Sequence, residues 1–245
     1  MQIRILGSGS GLPQLGKHLS SVLVHSEGKQ YLLDCGEGTI YQLLLSDVAE
    51  NDLDAVVITH FHPDHVAGVF MLIQMLYLRG REKDLLLFVP EREGEFEALF
   101  SMFYTFPGRI SFKLRVLPMS ELSVRLPKLE AMANDHLYGY RDEIEKHDHP
   151  NPMMAYSIRV HSDGGDFVYS SDLCTTDSIA PLIKGAHTLL VDAGHPEPQQ
   201  IWKLKDYGLK RILLTHSPQP ELLNELTKAE TNIFEEALEG IWYIL

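Results

Sequence analysis

The alternation of apolar and polar positions divides the chain into short strands and amphipathic helices along its whole length. Ile3-Arg4-Ile5-Leu6 predicts a first strand. It runs into Gly7-Ser8-Gly9-Ser10-Gly11-Leu12-Pro13, whose three glycines have two readings: a tight connection needing positive φ, or a backbone that lets a substrate approach closely. Residues 20–24 and 30–33 predict a hairpin across Ser26-Glu27-Gly28-Lys29, and Asp34-Cys35-Gly36-Glu37-Gly38-Thr39 then opens a helix through Ile40, Leu43 and Leu44. The apolar run Ala55-Val56-Val57-Ile58 is a buried strand, residues 65–79 an apolar-faced helix, 85–89 a strand and 93–104 a helix ended by Pro107-Gly108. Strands are expected over 114–117, 123–126 and 128–133, followed by a long polar loop over 134–152. A second hairpin joins 155–160 to 167–170 across Asp163-Gly164-Gly165-Asp166. A helix closes over 180–183, a strand covers 188–191, and Asp192-Ala193-Gly194-His195-Pro196 feeds a helix to Tyr207. The strand 211–214 ends in Thr215-His216-Ser217-Pro218, and 241–245 is a closing strand. There is no internal repeat, linker or low-complexity tract, so residues 1–245 are expected to form one domain.

Composition narrows the class. A chain of 245 residues with 44% hydrophobic content can bury a sizeable core. Cys35 and Cys174 make no disulfide framework and no C-x-x-C pair, which fits a reducing cytoplasm. The opening residues form a strand and not a basic-then-apolar leader, and no apolar run is long enough to span a bilayer, so a soluble, unexported protein without a membrane partner is expected. A formal net charge of -13 disfavours nucleic acid relative to a small-molecule substrate without excluding it, since a local patch can still bind phosphate. A homodimer stays open.

The chemistry concentrates in Thr59-His60-Phe61-His62-Pro63-Asp64-His65, which sets three imidazoles and a carboxylate on a strand-to-helix loop. His60 and His62, two apart, can converge on one metal ion, whereas Asp64 and His65, past the bend at Pro63, suit a second. A solvated helix cap is the plain alternative, and for a single histidine it would win; three with an aspartate between them outweigh it. Imidazole and carboxylate without thiolate suit Zn²⁺, Mn²⁺ or Fe. Further candidate ligands, Asp172, His195 and His216, recur at strand ends. One doubly wound sheet would spread these along an edge, so two facing sheets with their loops at one rim and helices outside is the better architecture. Asp34, also at a strand end, either orients a metal-bound histidine or caps the helix after it.

The H-x-H-x-D-H run at His60 to His65 resembles that of the metallo-β-lactamase superfamily, which implies an α/β fold, a four-layered αββα sandwich. Leu6-Gly7-Ser8-Gly9-Ser10-Gly11-Leu12-Pro13, and Leu33-Asp34-Cys35-Gly36-Glu37-Gly38-Thr39 with Gln42-Leu43-Leu44, are similar to two motifs of its ribonuclease Z branch and phosphodiesterase relatives. The final strand after Glu239-Gly240 fits that branch's closing hairpin. The resemblance implies two divalent metal ions, zinc first with manganese and iron as alternatives. One would be held by His60, His62 and His149, the other by Asp64, His65 and His216, with Asp172 bridging them beside a water that they turn into a hydroxide nucleophile. His149 is preferred for its spacing to Pro152 and Tyr156, with His147 and His136 as rivals. His195 begins the helix before the last ligand strand and is the expected proton donor to a leaving oxygen, while Asp64 doubles as a proton acceptor.

Two departures shape the expected substrate. Ser171-Asp172-Leu173 stands where the branch has Gly-Asp-Thr, and the span from His149 to Asp172 holds one hairpin, with no room for a tRNA-binding arm. The expected activity is hydrolysis of small phosphodiesters. The alternatives are hydrolysis of a lactone, thioester or aryl sulfate on the same metals, tRNA 3′-processing, or a regulatory metal-binding protein with little turnover.

Overall fold

A computed structural model describes residues 1–226 and 233–245. The chain divides into two compact units, residues 1–121 with 238–244, and residues 122–237 with Leu245.

The first unit is built on β1 (Gln2–Gly7), β2 (Ser21–Ser26), β3 (Lys29–Leu33), β4 (Leu53–Val57), β5 (Leu85–Val89), β6 (Leu114–Pro118) and the C-terminal strand Trp242–Ile244. Its sheet runs C-terminal strand, β1, β2, β3, β4, β5, β6. Pairing is antiparallel through β3 and parallel beyond it. One face, with Leu23, Leu32, Val56 and Leu87, packs against Leu43 of the helix Thr39–Leu45, Leu72 and Leu76 of Val69–Leu78, and Phe96 of Glu93–Met102. The alternate residues Ile5, Val24, Leu33, Ala55 and Val57 are buried too. Burial on both faces is why these strands read as unbroken apolar runs. The helix expected over 65–79 is two, Pro63–Val66 and Val69–Leu78, with the Gly68 N–H turned to the Cys35 carbonyl at 2.8 Å.

The second unit holds β7 (Leu129–Ala133), β8 (Tyr156–Val160), β9 (Phe167–Tyr169), β10 (Thr188–Asp192), β11 (Arg211–Thr215) and β12 (Phe234–Glu236), in the order β12-β11-β10-β9-β8-β7. β9 to β12 are parallel, whereas β7, β8 and β9 are antiparallel. Val168, Leu189, Val191 and Ile212 pack against Ile179, Leu182, Ile201 and Leu204 from the helical turns. The parallel block brings the carboxyl ends of β9, β10 and β11 to one edge, where such sheets carry their sites.

Three further expectations differ from the structure. Residues expected as a strand over 123–126 form the helix Leu122–Arg125, closed by the Leu126 N–H to Leu122 O bond of 2.7 Å and stopped before Pro127. The expected loop over 134–152 contains a 3₁₀ turn, His136–Tyr140, and the helix Arg141–His147. That helix buries no residue, so it has no apolar stripe to read; Arg, Glu and Lys propensity and the Glu143–His147 pair at 3.3 Å support it instead. The last strand pairs antiparallel with β1 and makes no hairpin with β12, a strand the apolar pattern did not show. Among the described residues, no helix is long and apolar enough to cross a membrane.

Candidate metal centre

In the first unit the donors stand on the loop after β4. Ile58 still bonds the neighbouring strand, its N–H reaching the Phe88 carbonyl at 2.9 Å, and Pro63 then starts the helix Pro63–Val66, with His62 as its extended N-cap. The loop is held from below by Asp34, which is fully buried in left-handed backbone at φ 58°. Its Oδ1 accepts the Thr59 N–H at 2.7 Å and its Oδ2 accepts the Thr59 hydroxyl at 2.9 Å. Oδ2 also lies 2.7 Å from His65 Nδ1. A carboxylate only accepts, so His65 carries its proton on Nδ1 and its basic nitrogen is Nε2, 3.6 Å from Asp64 Oδ2. Asp34 therefore orients His65 and caps no helix. His60 Nε2 and His62 Nδ1 face each other at 3.0 Å, and the buried His60 ring lies 4.1 Å from that of His65.

In the second unit the donors gather around Asp172, which is 2% exposed. His216 Nε2 is 3.3 Å and His136 Nε2 3.6 Å from Asp172 Oδ2. The backbone turns sharply at both strand ends, Ser171 at φ 53° and His216 at φ 62°. Such left-handed non-glycine residues cost about 1–3 kcal/mol each and gather at functional sites. Asn134 sets His136: its Oδ1 accepts the His136 N–H at 3.1 Å while its amide donates to Ser157 Oγ at 3.0 Å.

His195 is tied to Asp192. The fully buried Asp192 carboxylate accepts from the Leu173 N–H at 2.9 Å, the Gly194 N–H at 2.9 Å and His195 Nδ1 at 2.8 Å. The half-exposed His195 ring stacks on His216 at 5.0 Å and lies 5.2 Å from His136. Ligand atoms of Asp172, Asp192 and His195 lie within 4.8 Å of one another.

These separations suit metal ions. Two ligands at about 2.0–2.2 Å on one tetrahedral ion stand roughly 3.3–3.6 Å apart. The pairs His60 with His62, Asp64 with His65, Asp172 with His216, and Asp172 with His136 span 3.0 to 3.6 Å. A buried set of imidazoles and carboxylates is costly unless paired or ligating.

The histidine preferred by spacing stands elsewhere. His149 is exposed just past the helix Arg141–His147, with its N–H on the Ile144 carbonyl at 3.0 Å and its ring 5.8 Å from His147. Folding of residues 141–147 into a helix carries both rings out to solvent, and the imidazole beside Asp172 is that of His136, directly after β7. Sequence reading also passed over Asp192, although its place three residues before His195 on a strand end was a usable signal.

The family model described as Anti-Pycsar protein Apyc1 matches residues 1–99. The chain is 36% identical to a ribonuclease Z of Methanosarcina acetivorans over 169 residues, 68% of this chain and 51% of that protein, so it spans about half that relative's length. To a ribonuclease Z of Halalkalibacterium halodurans it is 28% identical over 297 aligned positions, covering 97% of this chain and 95% of that one. Its fold matches the metallo-β-lactamase fold protein YhfI of Bacillus subtilis at a TM-score of 0.71 and 20% identity, over 99% of this chain and 98% of that one. The chain has the metallo-β-lactamase fold, and its sequence is similar to those of ribonucleases Z. Other structures of the superfamily fold match it equally widely. A diphosphatase of the PhnP family matches at a TM-score of 0.73 and 18% identity, over 100% of this chain and 97% of that one. Zn²⁺-bound PqqB of Methylobacterium extorquens matches at 0.70 and 17%, over 100% of both. Relatives named ribonuclease Z remove the ground on which net acidity disfavoured nucleic acid: overall charge does not report on a local phosphate-binding surface.

Proposed function

We propose that this superfamily member is a metal-dependent hydrolase of small phosphodiesters, and that its two units act as one domain. In this reading His60, His62 and His136 hold one divalent ion, Asp64, His65 and His216 hold the second, and Asp172 serves both; zinc is the first choice. The reading rests on the buried, pre-oriented donors of each unit, above all His65, whose Nδ1 is tied to Asp34 at 2.7 Å so that Nε2 is the ligating atom. When bound, such cations lower the pKa of an attacking water and neutralise charge on phosphoryl oxygens. Asp192 holds His195 by Nδ1 at 2.8 Å, which makes Nε2 the nitrogen that passes a proton to a leaving oxygen.

A second reading, cleavage of RNA, is favoured by the relatives named ribonuclease Z. Against it stand gaps within the alignment, which covers 97% of this chain. The Halalkalibacterium halodurans alignment runs over 297 positions and this chain has 245 residues, so that relative carries segments absent here. Between His136 and Asp172 this chain holds only the 3₁₀ turn His136–Tyr140, the helix Arg141–His147 and the β8–β9 hairpin.

The deciding experiment is a metal-replete activity panel of bis-aryl phosphate, cyclic nucleotide, lactone, thioester, aryl sulfate and a tRNA precursor, with metal content measured alongside. Turnover of the phosphodiesters supports the first reading. Cleavage of the precursor alone moves the assignment to the second, and turnover of only a carboxylic or sulfuric ester removes both.

We also propose a homodimer. Tyr41, Leu44, Met71 and Leu78 line an apolar groove beside the helices Thr39–Leu45 and Val69–Leu78, and it adjoins a second lined by Leu78, Phe103 and Tyr104. These side chains are 45–76% exposed. At on the order of 100 Å² each they present roughly 600 Å², at the top of what a monomer leaves open and near the ~800 Å² per partner of a standard interface. A two-fold pairing would set this patch against its own copy. Sedimentation should show two chains for the wild type and one for Leu78→Glu; a monomeric wild type would refute the pairing.

A further inference from the structure

Glu239 lies near the end of the chain, yet its carboxylate is spent on residues near the beginning. Oε1 accepts the Ser8 N–H at 2.9 Å, the Ser8 hydroxyl at 3.1 Å and the His18 N–H at 2.9 Å. Oε2 lies 2.6 Å from His18 Nδ1. Gln42 Nε2 adds a contact to the His18 ring at 3.2 Å. The Gly9 N–H meets the His18 carbonyl at 2.8 Å, so Ser8 and Gly9 are laced to His18 and Leu19 across the neck of a loop.

The glycines of this neck do not need positive φ: neither Gly7 nor Gly9 has one. They permit close approach instead. A Cβ on Gly7 would fall 1.8 Å from the Leu19 carbonyl oxygen, and one on Gly9 would fall 2.9 Å from that of His18. Beyond the neck, Gly11 lies against the Asp64 carboxylate, whose atoms stand 3.5–3.6 Å from the place its Cβ would take. A ligand carboxylate is thus walled by a loop that is closed by a glutamate 231 residues away from Ser8.

We infer that Glu239, with His18, is a positioning residue for Asp64: it holds the Gly7–Gly11 backbone against that carboxylate and so fixes the oxygen presented to metal. The inference rests on the metal reading above, and its test is arranged so that the two fail separately. The physical reason is that a carboxylate on an unbraced loop samples several rotamers, and losing outer support of a ligand typically weakens metal binding or activity by about 10–100-fold.

The test uses Co²⁺ as probe, titrated into metal-stripped full-length protein, with amide exchange followed over residues 8–19. Glu239→Ala should raise exchange at Ser8 and His18, leave β1 and β2 protected, and weaken by about 10–100-fold the same Co²⁺ step that Asp64→Asn weakens. Glu239→Gln keeps an oxygen for both N–H donors and should restore most of the protection and affinity. A site-wide structural effect would instead shift both Co²⁺ steps together. If Glu239→Ala does not fold, His18→Ala, which removes only the ring contacts, carries the same comparison. Faster loop exchange with unchanged Co²⁺ steps overturns the inference, as does unchanged exchange. If the wild type turns over nothing in the panel while the Asp64 step still depends on Glu239, the proposed activity falls and the positioning role stands. If the wild type binds no Co²⁺, both fall.

Discussion

Asp34 Oδ2 and His65 Nδ1 lie 2.7 Å apart with neither side chain exposed to solvent, so the ring orientation and the tautomer of one donor are set by a residue 31 positions earlier. An amide in place of that carboxylate can turn its NH₂ toward Nδ1 and move the ring proton to Nε2. Asp34→Asn should therefore weaken metal binding by about 10–100-fold with the fold retained. Calorimetric metal titration with circular dichroism on the same samples checks this, and undiminished affinity would separate Asp34 from the site.

His136 and His149 make a matched pair. His136→Ala should lower metal affinity by at least about tenfold, because its ring nitrogen stands 3.6 Å from the Asp172 carboxylate. His149→Ala, exposed past a surface helix, should leave metal content and turnover within error of the wild type. Elemental analysis after reconstitution decides between them, and the reverse result would return the third imidazole to His149.

Asp172→Asn should lower metal content and turnover together without unfolding the chain. The amide keeps the shape but removes the charge that faces His216 at 3.3 Å and His136 at 3.6 Å. Full metal content with full turnover would show that Asp172 serves neither ion.

His195→Ala should leave metal content intact. It should slow phosphodiesters with alkoxide-like leaving groups by about 10²–10⁴-fold, and those with activated aryl leaving groups much less, since a good leaving group departs without a proton. Asp192→Asn should reproduce part of this pattern, because Asp192 sets the ring through Nδ1 at 2.8 Å. Equal losses on both substrate types would give His195 a binding role, and loss of metal would make it a ligand.

Away from the site, Asp166 is a stability determinant with a defined pH dependence. Burial pushes its carboxyl up, but the Ser162 N–H, the Arg159 guanidinium and the His161 ring together hold it below its ordinary value of 3.8. A depressed folded-state value means the contribution is present above the ordinary carboxylate pKa and lost as pH falls through the folded one. Asp166→Asn should therefore lower stability by roughly 1–2 kcal/mol at pH 7, with the gap closing in strong acid. Urea titrations across pH measure the gap, and a constant difference would contradict the assignment.

Local information was enough for much of this protein. The strand at residues 85–89 and the helix end at Ile183 were read to the residue, because a run of apolar side chains bounded by turn residues declares its ends. The sequence 60–65 likewise announced its candidate donors, since three imidazoles and a carboxylate on one short loop have few other uses. Short elements without a clear apolar period, such as Leu122–Arg125, were misread, and so was much that depended on distant parts of the chain. No spacing rule distinguishes His136 from His149 when the intervening residues fold into a helix with no buried face. Asp34 offered two roles of equal standing until β3 and β4 paired and set it under Thr59 and His65. The link from Glu239 to Ser8 and His18 arises only when the last strand pairs with β1. The sequence by itself determined most of the strands, the helices with an apolar face and the candidate donors written side by side, because those follow from periodicity and local spacing. Tertiary structure alone decided which imidazole joins Asp172, which carboxylates hold His65 and His195, and what closes the glycine loop, because hydrogen-bond partners are chosen by chain segments that meet only on folding.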